Sequence, residues 1–240
     1  MKQRFFIFLS MMILTFSSAQ ARTAPDAKVV LDKLAKQFTI VGRYADVSMN
    51  VVRETRSELI QFEVFSLDEN HLRLEVSNPP RVKGSAIVRN AENLWISMPR
   101  MERILHYTVK TGKKNDQAIF GSDLRLGDLF GSFENYGTTV EKRGLLESEG
   151  YRLILVAPDQ LQRITMDLDE LDLPEIITVE EMIQGPKFLP VRRLHVKSWT
   201  GSGAKRRPVT MIIEDLKKPQ RFTQVEIQSW VGSRSFPEDL

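Results

Sequence analysis

Residues 60–76 read IQFEVFSLDENHLRLEV, and the parity of this stretch decides the fold class. Ile60, Phe62 and Val64 alternate with Gln61 and Glu63, and Leu72, Leu74 and Val76 alternate with Arg73 and Glu75. A period of two puts successive side chains on opposite faces of a strand. Asp68-Glu69-Asn70 lies between the two runs as a turn signal. The stretch therefore predicts an antiparallel hairpin with one apolar and one wet face. Asn78-Pro79-Pro80 ends it, because proline brings no amide donor to a ladder.

Working outward, the period-two pattern begins at Tyr44 and recurs to the end of the chain. Ser85–Arg89 and Asn93–Met98 form a second short hairpin, closed by Pro99, and Arg103–Lys110 follows as a further strand. Strands resume at Tyr151–Val156, then Arg163–Leu168, Ile176–Ile183, Leu189–Trp199, Val209–Asp215 and Phe222–Trp230. Turn-rich breaks separate them, among them Gly201-Ser202-Gly203. Before the strands, Asp26–Phe38 reads as an amphipathic helix, with Val29, Val30, Leu34 and Phe38 near helical spacing. In the middle, Ala118–Phe133 reads as a loop leading into a short helix, with Ser122 or Asp123 as N-cap. Roughly ten or eleven strands with two helices predict a mainly β fold: a strongly curved antiparallel sheet, an open or half β-barrel, with helices covering its concave face.

The N-terminus adds a destination. Lys2 and Arg4 precede an apolar run from Phe5 to Phe16, and Ala19-Gln20-Ala21 follows. This is the charged, apolar and small-residue sequence of a cleavable signal peptide, with cleavage expected after Ala21. The run is too short for a spanning helix, which needs about 20 apolar residues. The expected division is therefore a signal peptide at 1–21 and one domain at 22–240. The chain carries 34 Lys+Arg against 31 Asp+Glu, a net charge of +3. Loss of Lys2 and Arg4 takes this to +1, and no basic stripe remains to argue for nucleic acid. There is no cysteine, which excludes disulfides, thiolate metal sites and a lipid-modified cysteine. Export without an anchor points to a soluble protein of a bacterial periplasm.

Catalytic signatures are missing. The chain holds no G-x-S-x-G elbow, P-loop, H-E-x-x-H or calcium loop. His71, His106 and His195 fall in three separate strand regions and read as surface or half-buried strand residues, with convergence on a metal as the alternative. Asp167, Asp169, Glu170, Asp172 and Glu175 read as a solvated turn, with weak calcium binding as the alternative. Lys205-Arg206-Arg207 reads as a strand end, with a transient membrane-surface or partner contact as the sharper alternative. What the sequence offers is apolar residues on a curved sheet, an architecture that binds without catalysis. No enzyme activity, metal or cofactor is expected. The alternatives are an accessory module of an envelope transporter and, more remotely, an envelope hydrolase.

Four blocks carry a family resemblance. Lys83-Gly84-Ser85 is followed by Leu94-Trp95 with Pro99 and Arg103, then by Gly121-Ser122-Asp123-Leu124 with Asp128-Leu129, then by Leu189-Pro190-Val191-Arg192. In order and spacing these resemble the outer-membrane lipoprotein-sorting protein family, whose members are LolA-like and typically read K-G-T, L-W-x-Y-x-P-x-x-x-R, G-S-D-F-x-x-x-D-L and L-P-x-R. Ser97 and Leu124 stand where aromatics are usual. Phe236–Leu240 ends the chain where relatives often continue. The resemblance implies an open β-barrel around helices, an apolar cavity for acyl chains, and a non-enzymatic carrier role. Its partners would be an acylated lipoprotein or lipid, an inner-membrane transporter as donor and an outer-membrane acceptor. The residues expected to line the cavity are Phe62, Val64, Leu72, Leu74, Trp95, Met98, Leu126, Leu129 and Phe130. Trp95 and Met98 are three apart, so both can face inward only if the strand is irregular.

Overall fold

The computed structural model describes residues 23–38, 43–68, 71–108, 119, 122–123, 133, 135–143, 150–184 and 187–232. Its frame is one antiparallel sheet. The first meander is β1 (Arg43–Arg53), β2 (Arg56–Ser66), β3 (His71–Asn78), β4 (Ala86–Asn90), β5 (Asn93–Met98) and β6 (Arg103–Thr108). The second is β7 (Gly137–Lys142), β8 (Tyr151–Val156), β9 (Gln162–Leu168), β10 (Pro174–Gln184), β11 (Lys187–Thr200), β12 (Arg207–Asp215) and β13 (Arg221–Gly232). The thirteen strands lie in the order β6-β5-β4-β3-β2-β1-β13-β12-β11-β10-β9-β8-β7.

This order has a consequence for the chain path. The two meanders join where β1 pairs with β13, so the first and last strands meet in the middle of the sheet. β6 and β7 are the two edges and do not pair, which leaves a half-barrel open on one side. The connection between them, residues 109–136, therefore starts at one edge and finishes at the other.

Alternation holds along the strands. In β2 Ile60, Phe62, Val64 and Ser66 are buried, in β3 Leu72, Leu74 and Val76, in β8 Tyr151, Leu153 and Leu155, and in β9 Ile164, Met166 and Leu168. Tracing cross-strand partners shows that these all share one face. Leu74 opposes Ile87, Ile87 opposes Ile96, and Ile96 opposes Leu105. On the other half Leu153 opposes Met166, Met166 opposes Ile177, Ile177 opposes Leu194, and Leu194 opposes Ile213. This apolar face is the concave one, and it holds two clusters. One joins β1–β5 with β12, β13 and Ile119; the other joins β8–β11 with the helix α1 (Ala27–Phe38).

α1 begins where the Asp26 side chain accepts the amides of Lys28 and Val29 at 2.8 and 3.2 Å, satisfying donors that a helix start leaves open. Its buried stripe is Val30 and Leu34, flanked by Ala27 and Leu31. Val29, expected on that stripe, is exposed; the spacing 27, 30, 31, 34 fits one helix face and leaves position 29 off it.

The predicted strands form with shifts of at most two residues at their ends, and Asn93–Met98 and Tyr151–Val156 form without any. Two elements were not anticipated. β7 has a single partly buried apolar residue, Val140, packed toward the second cluster, and such an edge strand shows little periodicity. β1 and β2 are joined by Glu54-Thr55, with Arg53 opposite Arg56 and Glu54 at φ 43. This two-residue turn uses neither Gly nor Asn, the residues that signal it in sequence. The segment 124–132, the expected signal peptide at 1–21 and residues 233–240 lie outside the described residues, so the expected central helix lies there too.

Gly84 sits at φ +79 in the turn between β3 and β4, where its amide donates to the Val76 carbonyl at 2.9 Å. A Cβ added there would meet only Pro99 Cγ, at 3.7 Å, an ordinary contact. The cost of a side chain is then conformational and not steric. Gly84→Ala is expected to lower stability by about 1–2 kcal/mol, measured as a shift in the urea midpoint. An unchanged midpoint would show that the turn relaxes to another conformation.

Candidate functional site

The concave face supplies the candidate site. Phe62, Val64, Leu72 and Leu74 come together in its first cluster, with Met49, Ile60, Leu94 and Ile119 around them. Met98 shares the face of Leu94 and Ile96 and lies half-buried at the strand end. Trp95 does not join them. β5 pairs with β4 and β6 without a register shift, so Trp95 opposes Val88 and His106 on the convex face. There its ring stacks on His106 with centroids 5.2 Å apart. The expectation that Trp95 lines the cavity is corrected by strand parity, since no bulge turns it inward. Leu126, Leu129 and Phe130 lie outside the described residues, as do Gly121 and Asp128 of the same block.

The described part of the crossing segment runs over the concave face. Ile119 is buried in the first cluster, and Phe133 and Tyr136 pack against the second. Between them Ser122 and Asp123 are buried at the middle of the sheet. Thr223 of β13 holds Asp123 twice. Its hydroxyl accepts the Asp123 amide at 3.0 Å and donates to Asp123 Oδ2 at 3.1 Å. Arg192 Nη1 of β11 donates to the Asp123 carbonyl at 3.5 Å. Asp123 is 4% exposed and Thr223 0%. A carboxylate so buried is tolerated because it is hydrogen-bonded.

The four blocks therefore meet in two pairs. The Gly121–Asp123 block touches Arg192 of the Leu189–Arg192 block on the concave face. The Lys83–Gly84 block lies beside the Pro99–Arg103 block at one corner of the sheet, where a Cβ on Gly84 would come 3.7 Å from Pro99 Cγ. Pro99 opens a single 3-10 turn, Pro99–Met101, between β5 and β6. Leu94, the remaining apolar member, is in the core. Thr223 was missed in the sequence because a threonine in a strand has no signature of its own; only its position opposite Ile213 and Val51 reveals the role.

Between the clusters the concave face is only partly covered. Ile177 and Leu194 oppose each other across β10 and β11. Ile177 packs against the second cluster, and Leu194, with Met211, packs against the first. All three are half-buried. The seam between the clusters is thus apolar, accessible and lined from both halves.

Over β8–β12 the convex face carries ion pairs. Arg152 pairs with Asp167 at 2.6 Å, Arg163 pairs with Glu180, and His195 lies 3.4 Å from Glu214. A groove of about 250 Å³ opens there among Glu141, Arg152, Arg163, Thr178, Glu180 and Arg193. The histidines stay apart. His71 bonds Asp68 at 2.8 Å, and His106 bonds Asn93 at 2.9 Å. Among the described residues no three His, Asp or Glu side chains gather closely enough to hold a metal ion. Asp169 organises the acidic turn by accepting the amides of Leu171 and Leu173, each at 2.8 Å. Its other oxygen lies 3.4 Å from Arg206, which also sits over the Trp199 ring, and Arg207 is buried. Two of the three cations in the basic cluster are thereby tied into the fold. Burial pushes the Tyr136 phenol up, aided by Asp159, and pushes the Tyr44 phenol up beside Asp46 and Glu63. Both phenols are held neutral and serve as hydrogen-bond groups.

No protein-family profile matches the sequence, and no curated protein matches it. Solved structures do. A LolA superfamily protein from Nitrosomonas europaea superposes with a TM-score of 0.70 at 16% identity, over 90% of this chain and 96% of that one. A protein from Vibrio parahaemolyticus described as an outer membrane lipoprotein-sorting protein domain gives 0.69 at 14%, over 89% and 94%. A DUF1329 family protein from Desulfovibrio piger gives 0.67 at 14%, over 90% and 96%. The chain is similar to all three in fold, along nearly its whole length.

Proposed function

We propose that this protein is a periplasmic carrier that holds the acyl chains of a lipid or lipoprotein against the concave face of its sheet. The observation that carries this reading is the apolar seam at Ile177, Leu194 and Met211, accessible between two packed clusters. Removing one CH₂ from water contributes ~0.8 kcal/mol, so an acyl chain contributes on the order of 10 kcal/mol. A seam of this kind offers that energy without catalytic groups. The fold shared with the LolA superfamily protein and with the Vibrio sorting-protein domain supports the reading. So does the leader at 1–21, with cleavage after Ala21, which would deliver the chain to the periplasm. Among the described residues no helix is long and apolar enough to cross a membrane.

Cargo would lie between the sheet, α1 and the crossing segment, with Met98 at its outer end and Leu126, Leu129 and Phe130 contributed by the segment after Asp123. Phe62, Val64, Leu72 and Leu74 would form the floor. An inner-membrane transporter would load the protein and an outer-membrane acceptor would unload it. Native mass spectrometry of protein taken from its own periplasm is expected to show an added lipid mass, with acyl chains in the organic extract. A clean apo mass, together with no binding of a fluorescent fatty-acid probe, would sink the carrier reading.

A further inference from the structure

The corner where two sequence blocks meet exposes a mixed apolar and basic surface. Met101 is 55% exposed, Ile104 71% and Leu105 36%, three large apolar side chains within five residues. Lys83, Arg100 and Arg103 are exposed around them, with Glu102 as the acidic residue of the 3-10 turn and its exit. β6 is an edge strand, so among the described residues one side of its backbone has no ladder partner. Edge strands are ordinarily blunted with charge, and apolar side chains left at one mark a contact surface. The local charge is positive, three cations against one carboxylate.

We infer that this corner docks on an anionic lipid bilayer surface, with Met101 and Ile104 entering the headgroup region and Lys83, Arg100 and Arg103 meeting lipid phosphates. Two features select a bilayer over a protein strand. Cations flanking exposed apolar side chains match the charge and the depth profile of a membrane interface. The corner is also continuous with the concave face. The cross-strand row Leu74, Ile87, Ile96 and Leu105 runs from the buried cluster to the exposed edge. Ile104, opposite Ser97, projects from the convex side of this edge and Leu105 from the concave side, so a protein seated on a bilayer along β6 presents the end of its apolar face to the lipid. The docking itself stands apart from the carrier reading; only this last geometric benefit rests on it.

The test is co-sedimentation of the exported protein with vesicles of phosphatidylglycerol and phosphatidylcholine, against vesicles of phosphatidylcholine alone. The wild type is expected to bind the anionic vesicles and to release as salt is raised. Ile104→Asp and the pair Arg100→Glu/Arg103→Glu are each expected to weaken binding about tenfold or more. Lys205→Glu, an exposed cation outside this corner, should leave it unchanged. Wild-type binding no better than to neutral vesicles overturns the proposal. So does equal binding by the corner variants, or an equal loss in Lys205→Glu. Self-association through β6 without vesicle binding overturns it in favour of strand pairing. Fatty-acid probe binding measured on the same variants should be unchanged. A corner variant that keeps the probe but loses vesicles, or a wild type that binds vesicles but no probe, separates the two readings.

Discussion

Thr223→Val is expected to lower stability by about 3 kcal/mol, far more than its change in volume suggests. The two side chains are nearly the same size, so little cavity is created. What disappears is the hydroxyl that accepts the Asp123 amide at 3.0 Å and donates to its carboxylate at 3.1 Å. Both groups are left buried with a partner lost, and a buried amide or carboxylate deprived in this way costs about 1–3 kcal/mol each, more when charged. Thr223→Ser keeps the hydroxyl and removes one methyl, for an expected loss of about 1 kcal/mol. Urea unfolding of the two variants beside the wild type makes the comparison. For a chain of this size the valine variant should also melt about 6–12 °C lower. Equal midpoints for the serine and valine variants would show that the hydrogen bonds contribute nothing beyond the methyl. The prediction also has a kinetic side. The crossing segment is fastened to the sheet at Thr223, so limited proteolysis within 109–136 should speed up in the valine variant first.

The second large effect belongs to the seam. Leu194→Asp is expected to weaken fatty-acid probe binding about a hundredfold, because a carboxylate placed along an acyl chain must be desolvated or must exclude the chain. Leu194 is half-buried, so the fold should tolerate the change better than it would at Leu74 or Leu153. Leu194→Trp provides a second handle that stays apolar: it fills the seam by volume and should also reduce binding, though less. Leu189→Asp, at an exposed site on the same strand, should bind as the wild type does. Probe fluorescence titrations, with far-UV circular dichroism as the folding control, read out all three. Wild-type affinity in Leu194→Asp would remove the seam from the binding site.

These expectations differ in how much of them was legible before the structure. The floor residues Phe62, Val64, Leu72 and Leu74 were readable from parity alone, because alternation is a local property and the pleat converts it directly into a face. Trp95 was misplaced for the converse reason. Its inward placement requires an irregular strand, and β5 is regular, so its parity matches Ser97 and not Leu94. β7 escaped notice because an edge strand with one inward apolar residue carries almost no periodic signal. The Glu54–Thr55 turn escaped because β1 and β2 are held by eleven paired positions on each strand. That ladder supports a φ of 43 at a residue that would seldom take it unaided.

What the sequence determined by itself was the alternation of faces, the start of α1 at Asp26, the strand stops at Pro79 and Pro99, and hence a mainly β protein with one greasy side. Each of these is a local matter of backbone geometry and side-chain polarity. Only the tertiary structure decided the strand order. β1 pairs with β13 across the length of the chain, and that pairing sends β6 and β7 to opposite edges. The described residues of the segment that joins them lie on the concave face, where Asp123 reaches Thr223 one hundred residues away. Sheet pairing is set by which distant surfaces bury one another best, and no window of sequence contains both partners. The same reason explains why the blocks could be recognised one by one, while the placing of Gly84 beside Pro99 and the bond of Arg192 to Asp123 emerged only from the fold.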